Sequence, residues 1–173
     1  MAPELPRTKW FERKFDFSFP PGIFPSIMER LRGTPARLEE MVRSYPAGIL
    51  TIRQNDAWSI QDHIGHLTDL DGLHDGRIDD YIADLNTLRP ADLKNAKTWE
   101  AGHNKRDLED LLKMFRSARK HFSDRLESVG AEIVVRASIH PRLHVSMRLV
   151  DMAYFIAEHD DHHLATIREL GRL

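Results

Sequence analysis

Apolar residues recur along the chain with the spacing of amphipathic helices, and the first such stretch contains signals for two consecutive helices. The apolar residues between positions 24 and 31 share one helical face, which predicts a short helix. Gly33 then indicates a helix end, Thr34 is a favourable N-cap, and Pro35 suits the first position of a new helix, where its missing N–H costs nothing. The second helix would carry a further apolar stripe, formed by Leu38, Met41, Val42 and Tyr45.

Three later stretches predict long amphipathic helices. Ser59 is a good N-cap for the first of them, and Asp62 three residues further on completes a capping-box pattern. The next helix is expected over residues 108–129 and the last over residues 146–170, each followed by a glycine. Their apolar stripes are, in chain order, Ile60, Ile64, Leu67, Ile78 and Tyr81; Leu108, Leu111, Leu112, Phe115, Phe122, Leu126 and Val129; and Leu149, Met152, Ile156, Ile167 and Leu170.

The segments between these stretches are expected to be irregular. Residues 1–25 are rich in aromatic residues and proline without a helical period, which predicts an extended arm packed on the body of the domain or on a second subunit. Residues 86–104 indicate a long polar connection, and residues 131–143 are expected to form a loop, with a strand as the alternative. The pattern therefore predicts an all-α fold, a four-helix bundle, with an arm over residues 1–25 and a single helical domain over residues 26–173.

Composition narrows the classes of function. A chain of 173 residues with 41% hydrophobic and 30% charged residues suits one folded domain. The formal net charge of -2 disfavours nucleic acid or an anionic membrane as a partner, and no apolar run is long enough to span a bilayer. Without a signal-peptide pattern, a cytoplasmic protein is expected. Because there are no cysteines, disulfides, thiolate ligands and a nucleophilic cysteine are excluded, and a transition-metal site would draw on the ten histidines.

Two of these histidines lie on the apolar face of the last predicted helix. At about 100° per residue, His159 and His163 fall within an arc of about 80° that also contains the apolar stripe. His162 points about 100° away from His163 and is expected at the rim. Because imidazoles at positions i and i+4 stack one turn apart, both can reach one cation, which would satisfy polar groups that an apolar core penalises.

Taken alone, these residues leave alternatives open. A histidine on an apolar face is often a hydrogen-bonded core residue, and a His-x-x-x-His pair also arises by chance in a histidine-rich chain. Asp160 stands where a zincin protease has glutamate, which disfavours that class. The second long helix offers His63, His66 and His74 as a third ligand. Helical projection places His63 and His74 nearer the centre of the apolar stripe and His66 at its edge, so projection does not select His66.

Two segments together resemble the DinB/YfiT-like superfamily. In residues 58–67, Trp58-Ser59 marks a helix start, and a histidine followed by leucine comes seven residues after the serine. Residues 151–167 contain the His-x-x-x-His pair of the last helix. The helix order, the Gly33-Thr34-Pro35 segment and the approach over residues 140–143 also fit, so the resemblance spans most of the chain.

The resemblance implies a specific fold and site. Matched position by position, His66, His159 and His163 would bind one divalent cation, zinc or nickel, in a four-helix bundle with an up-down-down-up connection. The resemblance also implies that the protein forms a homodimer. Family members with known activity include thiol S-transferases and a thiol-dependent isomerase.

The resulting hypothesis is a metal-dependent enzyme acting by thiol S-transfer or hydrolysis on a small-molecule substrate, with a low-molecular-weight thiol as one candidate. Three neutral imidazoles leave a coordination position open, as in catalytic sites. Asp160 and Asp71 are candidate acceptors for the N–H groups of the ligand histidines, although a salt bridge is the simpler expectation for Asp71. The alternatives are a non-catalytic metal- or ligand-binding stress-response protein, and a plain bundle with histidines in its core. Candidates for the mouth of the site are His63, His74, His103, Asn104 and His162.

Overall fold

The computed structural model of the protein describes residues 6–172, and four long helices dominate its architecture. The elements are, in chain order, α1 (Phe24–Arg43), α2 (Ile60–Ile82), α3 (Ala96–Glu100), α4 (Leu108–Ser128), α5 (Ala131–Val134), β1 (Ala137–Ile139), β2 (Ser146–Arg148) and α6 (Leu149–Leu170). Short 3-10 turns lie at Trp10–Glu12, Pro21–Ile23, Ala47–Ile49 and His103–Lys105. Within the described residues, no helix combines the length and the apolar character needed to cross a membrane.

Ion pairs between the helices define the direction of α4. Along α2 and α4, residue numbers rise together, because Asp71 pairs with Arg119 and the later Asp79 pairs with Arg125. These two helices are therefore parallel. Between α1 and α4 the order is reversed: Arg32 in the first half of α1 pairs with Glu127 near the end of α4, and Arg43 at the end of α1 pairs with Glu109 at the start of α4.

Contacts of α6 with α1 and α2 define the direction of this last long helix. Arg30 pairs with Glu158, and seven residues later Arg37 pairs with Asp161, so α1 and α6 run in the same direction. Against α2, α6 runs in the opposite direction, because its beginning lies near Arg77 and its later part near His63. The four long helices are thus arranged up-down-down-up, which confirms the predicted bundle.

The core of the bundle has two apolar layers with a polar layer between them. The first apolar layer includes Ile27, Leu31, Ile78, Tyr81, Phe122, Leu126, Met152 and Ile156. The second includes Leu38, Val42, Ile64, Leu67, Leu112, Phe115, Leu164 and Ile167. The polar layer consists of buried residues from all four helices, namely Thr34, His66, Asp71, His74, Arg119, His159, Asp160 and His163. Polar side chains at this depth require partners or a ligand, so this layer is where chemistry is to be sought.

The expected break at Gly33–Pro35 is wrong, because α1 continues through it as one helix. Pro35 cannot donate to the carbonyl of Leu31, which would normally end or kink a helix at this point. Here Arg119 Nη1 lies 3.5 Å from that carbonyl and supplies a donor from α4. Leu31, Thr34, Pro35 and Leu38 are all buried on one face. Packing across the bundle therefore overrides the local stop signal.

The segment after α4 also differs from its expected loop. It contains α5 and a two-stranded antiparallel hairpin in which Ser138 lies opposite Met147. The strand β2 occupies Ser146–Arg148, so the last helix begins at Leu149 rather than at Ser146. Pairing with β1 keeps residues 146–148 extended. A capping interaction then starts the helix, since the carboxylate of Asp151 accepts hydrogen bonds from the backbone N–H and the guanidinium of Arg148. The fold is therefore mainly α-helical with one small β-hairpin.

The aromatic arm packs on the body of its own domain, the first of the two expected alternatives. Trp10, Phe15, Phe17 and Phe19 contact the first apolar layer, and Arg148 Nη2 donates to the backbone carbonyls of Phe17 and Phe19, each at 3.0 Å. The division into an arm and a domain at residue 25 stays a prediction. Residues 1–5 of the expected arm lie outside the described residues.

Candidate metal centre

Three histidines meet in the polar layer between α2 and α6. His66 on α2 and His159 and His163 on α6 are each at most 9% exposed, and one ring nitrogen of each lies within 4.8 Å of the other two. The Nε2 atoms of His159 and His163 are 3.0 Å apart. Bonds of about 2.0–2.1 Å place two nitrogen ligands about 3.3 Å apart around a tetrahedral zinc ion, so the spacing of this pair is close to what a shared ion requires. The chemistry of the donor set fits a divalent transition-metal cation.

The ring of His66 is oriented by a short hydrogen-bonded chain. The hydroxyl of Thr98 donates to Asp69 Oδ2 at 3.0 Å, so its oxygen is left to accept the N–H at Nδ1 of His66, 3.1 Å away. This tautomer leaves the lone pair of Nε2 free for a cation. Trp58 covers the same ring, with its centroid 4.5 Å away. Neither Thr98 nor Asp69 was singled out in the sequence, since both lie in or beside polar stretches without a motif.

His163 is oriented by a fourth histidine. Nδ1 of His163 lies 2.8 Å from Nδ1 of His63. When His163 presents the lone pair of Nε2 to a cation, its proton is on Nδ1, and His63 accepts that proton in a hydrogen bond. His63 thus holds a ligand in place instead of lying at the mouth. Its position near the apolar centre of the helical projection was the available signal for such a buried role.

All four imidazoles are held in the neutral form that metal binding requires. Burial lowers the pKa of His66 to about 4 and that of His63 to about 3. It also lowers the pKa values of His159 and His163 well below the ordinary value. At neutral pH their lone pairs are therefore not taken by protons, and a cation meets little competition.

Asp160 and Asp71 have a different role from the one expected. Neither carboxylate contacts a ligand imidazole; both bind Arg119, whose Nη2 lies 3.0 Å from Asp71 Oδ1 and 3.0 Å from Asp160 Oδ1. Burial raises the pKa of Asp71 to about 6, against the opposing effect of Arg119. The expectation that these aspartates orient the ligands is thus corrected, while the salt bridge expected for Asp71 is present. Arg119 was missed, although a charged residue between Phe115 and Phe122 in an apolar stripe was a signal.

The remaining candidates divide between the cavity and its surroundings. His74 is buried and lines the cavity beside the three-histidine cluster, and His162 is half-buried at its rim, as expected from its helical angle. His103 is buried outside the cavity, where Nε2 lies 2.9 Å from Asp69 Oδ2. Asn104 accepts from the hydroxyl of Ser59 and donates to a backbone carbonyl. His74 and His162 therefore line the cavity, whereas His103 and Asn104 do not.

A cavity of about 260 Å³ opens directly onto the cluster. Its walls come from the arm, from α2 and α6, and from the segments around residues 90–95 and 140–142. The apolar part of the lining includes Trp10, Phe11, Trp58, Leu70, Leu73 and Phe155. A small, largely apolar molecule can therefore lie against the three histidines, which is the arrangement of a ligand site with a few polar groups.

These features define a class: an up-down-down-up four-helix bundle with a buried three-histidine cluster suited to a divalent cation. Residues 30–167 match the DinB superfamily, and the chain belongs to that superfamily. The fold is similar to that of YfiT from Bacillus subtilis, which is described as a probable metal-dependent hydrolase with an unusual four-helix bundle topology. The TM-score is 0.77 at 21% sequence identity, and the match covers 92% of each chain. No curated protein matches the sequence. The expected family and fold are confirmed.

Proposed function

We propose that the protein is a metal-dependent hydrolase of small molecules, in which His66, His159 and His163 hold one zinc or nickel ion. The observation that carries this proposal is the convergence of three buried ring nitrogens within 4.8 Å at the wall of a cavity. An ion held by these three imidazoles would keep a coordination position open and would lower the pKa of a bound water to about 7. The similarity to YfiT, itself described as a probable metal-dependent hydrolase, supports the choice of hydrolysis.

The chain's own residues supply positioning and a dry environment. Thr98 and His63 fix two ligand rings by accepting hydrogen bonds from their Nδ1–H groups. Leu70 and Phe155 in the cavity wall exclude water from the apolar body of a substrate. Trp58 lines the same cavity, and its indole N–H is buried without a hydrogen-bond partner among the described residues. That donor is available to an oxygen of the substrate on which negative charge develops.

The first test is metal content and its dependence on the ligands. We expect about one zinc or nickel ion per chain in the purified protein and none in His159→Ala or His163→Ala. His121→Ala is the matched control, because the side chain of His121 is 68% exposed on α4. Full metal content in His159→Ala would overturn the assignment of the site.

The second test concerns the reaction. The metal-loaded protein is assayed against a panel of p-nitrophenyl esters, anilides and phosphate esters, before and after treatment with a chelator. Hydrolysis that disappears with the metal and in His163→Ala supports the proposal. Metal-dependent turnover only when a low-molecular-weight thiol and an electrophile are both present would move the assignment to S-transfer. Metal binding without either reaction would favour the non-catalytic alternative. Homodimer formation stays a prediction, which sedimentation velocity tests.

A further inference from the structure

The end of the cavity away from the three histidines contains two arginines that form no salt bridge with any described carboxylate. Arg77 on α2 is 2% exposed and lines this end together with His140 and Arg142 from the loop between β1 and β2. The Nη2 atoms of Arg77 and Arg142 are both buried, and neither has a hydrogen-bond partner among residues 6–172. Buried polar groups are normally satisfied, and an unpaired buried cation is costly, so this arrangement calls for an acceptor from outside the chain.

The polar contacts that Arg77 does make do not neutralise it. Its Nε donates to the backbone carbonyl of Arg89 at 3.1 Å, and Nη1 lies 3.8 Å from the weakly accepting sulfur of Met152. The nearby carboxylate of Asp80 is occupied by Arg89, which donates to both of its oxygens. Burial lowers the pKa of Arg77 to about 10, so the guanidinium is still charged at neutral pH.

His140 adds a third donor with no acceptor. Its Nδ1 accepts from the backbone N–H groups of Arg142 at 3.3 Å and Leu143 at 3.2 Å, which places the proton of the neutral ring on Nε2. That Nε2–H lies 3.5 Å from Nη1 of Arg77, so two donors face each other without an acceptor between them. Among the described residues, Asp92 supplies the one carboxylate in the cavity wall; it accepts from the backbone N–H groups of Lys94 and Ala96 and is on an exposed segment.

We infer that Arg77, His140 and Arg142 form an anion subsite that binds a carboxylate of the substrate. Guanidinium groups bind carboxylates through paired, charge-assisted hydrogen bonds, and the imidazole N–H completes the set. Arg142 also lies over the rings of Phe11 and Phe155, at 5.1 and 5.8 Å, so the apolar lining continues up to the subsite.

The position of the subsite defines the substrate class, and this step rests on the proposed function. Phe155, whose ring is 5.2 Å from that of His140, precedes His159 by one helical turn, and Met152 beside Arg77 precedes it by two. At 1.5 Å per residue, the anion subsite lies about 6–10 Å along α6 from the three histidines. The substrate is thus a monocarboxylate with an apolar body, whose reacting bond is that far from the carboxylate.

The inference is tested by calorimetric titration with 3-phenylpropionate and with its neutral counterpart, 3-phenylpropanamide. Since a hydrogen bond to a charged group contributes more than a neutral one, we expect the carboxylate to bind about 10- to 100-fold more tightly than the amide. Arg142→Met and Arg77→Met should each lose about tenfold or more of the carboxylate affinity and leave amide affinity unchanged. Arg106→Met, at an exposed arginine, is the matched control.

Two further measurements separate this inference from the proposed function. His159→Ala should retain the preference for the carboxylate, because the subsite does not include the three histidines. Both arginine variants should retain the metal content of the wild type. Loss of carboxylate binding in His159→Ala, with retention in Arg142→Met, would show that the carboxylate binds the metal and would overturn the subsite while supporting the metal centre. Equal affinity for acid and amide would also overturn it. Thermal unfolding of each variant shows whether it is folded, and Arg142→Met covers the case in which Arg77→Met is not.

Discussion

Two polar clusters lie side by side in the same layer of the bundle, and they differ in how many of their hydrogen-bonding groups have partners within the protein. His159 and Asp160 are neighbours on α6, about 100° apart around the helix, so they face different helices. Asp160 belongs to a closed cluster in which Arg119 donates to both Asp160 and Asp71, and Thr34 donates to Asp160 at 3.0 Å. This cluster is balanced in its hydrogen bonds, because each buried nitrogen and oxygen atom of these four side chains has a partner within the protein.

The cluster around His159 is not balanced. The lone pairs of three neutral rings converge there, which leaves an excess of acceptors at one point. At the far end of the cavity the imbalance has the opposite sign, since Arg77, Arg142 and the Nε2–H of His140 present donors without an acceptor among the described residues. A buried cluster in which every hydrogen-bonding group has a partner indicates a structural role. An excess of acceptors indicates a cation, and an excess of donors indicates an anion.

The largest expected effect is the loss of stability when the balanced cluster is broken. Arg119→Met leaves the buried carboxylates of Asp71 and Asp160 without their partner and should lower the free energy of unfolding by about 3–5 kcal/mol. Arg116→Met, one turn earlier on α4, removes a half-exposed guanidinium from Glu39, which keeps Arg43 as a partner, and should cost about 1 kcal/mol or less. Urea unfolding followed by circular dichroism measures both. Equal losses in the two variants would contradict the structural role of the cluster.

The next effect is stabilisation by metal at the unbalanced cluster. Zinc or nickel chloride at 100 times its dissociation constant should raise the free energy of unfolding by about 2.7 kcal/mol, because the site exists only in the folded chain. For a chain of this size that is a rise of about 5–10 °C in the melting temperature. The rise should be absent in His159→Ala and present in His121→Ala. A melting temperature unaffected by metal and by chelator would support the plain structural bundle.

The elements that the sequence predicted best are those with strong local signals. The Ser59–Asp62 capping box is present at the start of α2, and the His159–His163 spacing on α6 brings two ring nitrogens together. Signals failed where tertiary contacts outweighed them. At Pro35 the bundle supplies Arg119 as a donor and the helix continues, and at Ser146 the pairing with β1 delays the start of α6.

The residues that support the site were harder to predict from the sequence than the three histidines themselves. His66 could not be selected by projection, because its orientation depends on Thr98, which comes from the short helix α3 in a segment expected to be irregular. The roles of Asp71 and Asp160 were missed because Arg119 reaches them from a third helix. Pairings between distant helices have no local pattern, whereas the spacing of two histidines on one helix does.

A smaller effect is expected from the hydrogen bond that orients His66. Thr98→Val keeps the shape of the side chain but removes the acceptor for the Nδ1 proton, and it should weaken metal affinity about 10-fold or more. Thr68→Val is the control, because Thr68 lies on the same helix as His66 and its hydroxyl is bonded to a backbone carbonyl. Competition with a chromophoric chelator measures both affinities. Unchanged affinity in Thr98→Val would show that the ring is held by packing under Trp58 alone.

The smallest effect concerns the pH dependence of stability at the donor-rich end of the cavity. Burial, with smaller contributions from Arg77, Arg142 and His144, lowers the pKa of His140 to about 3 from an ordinary value of 6.5. Between these two values the unfolded chain takes up a proton that the folded chain does not. The free energy of unfolding contributed by this group is therefore highest above pH 6.5 and falls as the pH is lowered towards 3.

His140→Asn tests this dependence. The amide oxygen takes the place of Nδ1 as acceptor for the backbone N–H groups of Arg142 and Leu143, but the side chain no longer titrates. The slope of unfolding free energy against pH between 4 and 6 measures how many protons are taken up on unfolding, and it should then decrease by the equivalent of about one proton or less. The other buried histidines keep their contributions of the same sign, so a residual slope is expected. A slope identical to that of the wild type would show that His140 is protonated in the folded protein, and its Nδ1 could then not accept from the two N–H groups of the turn.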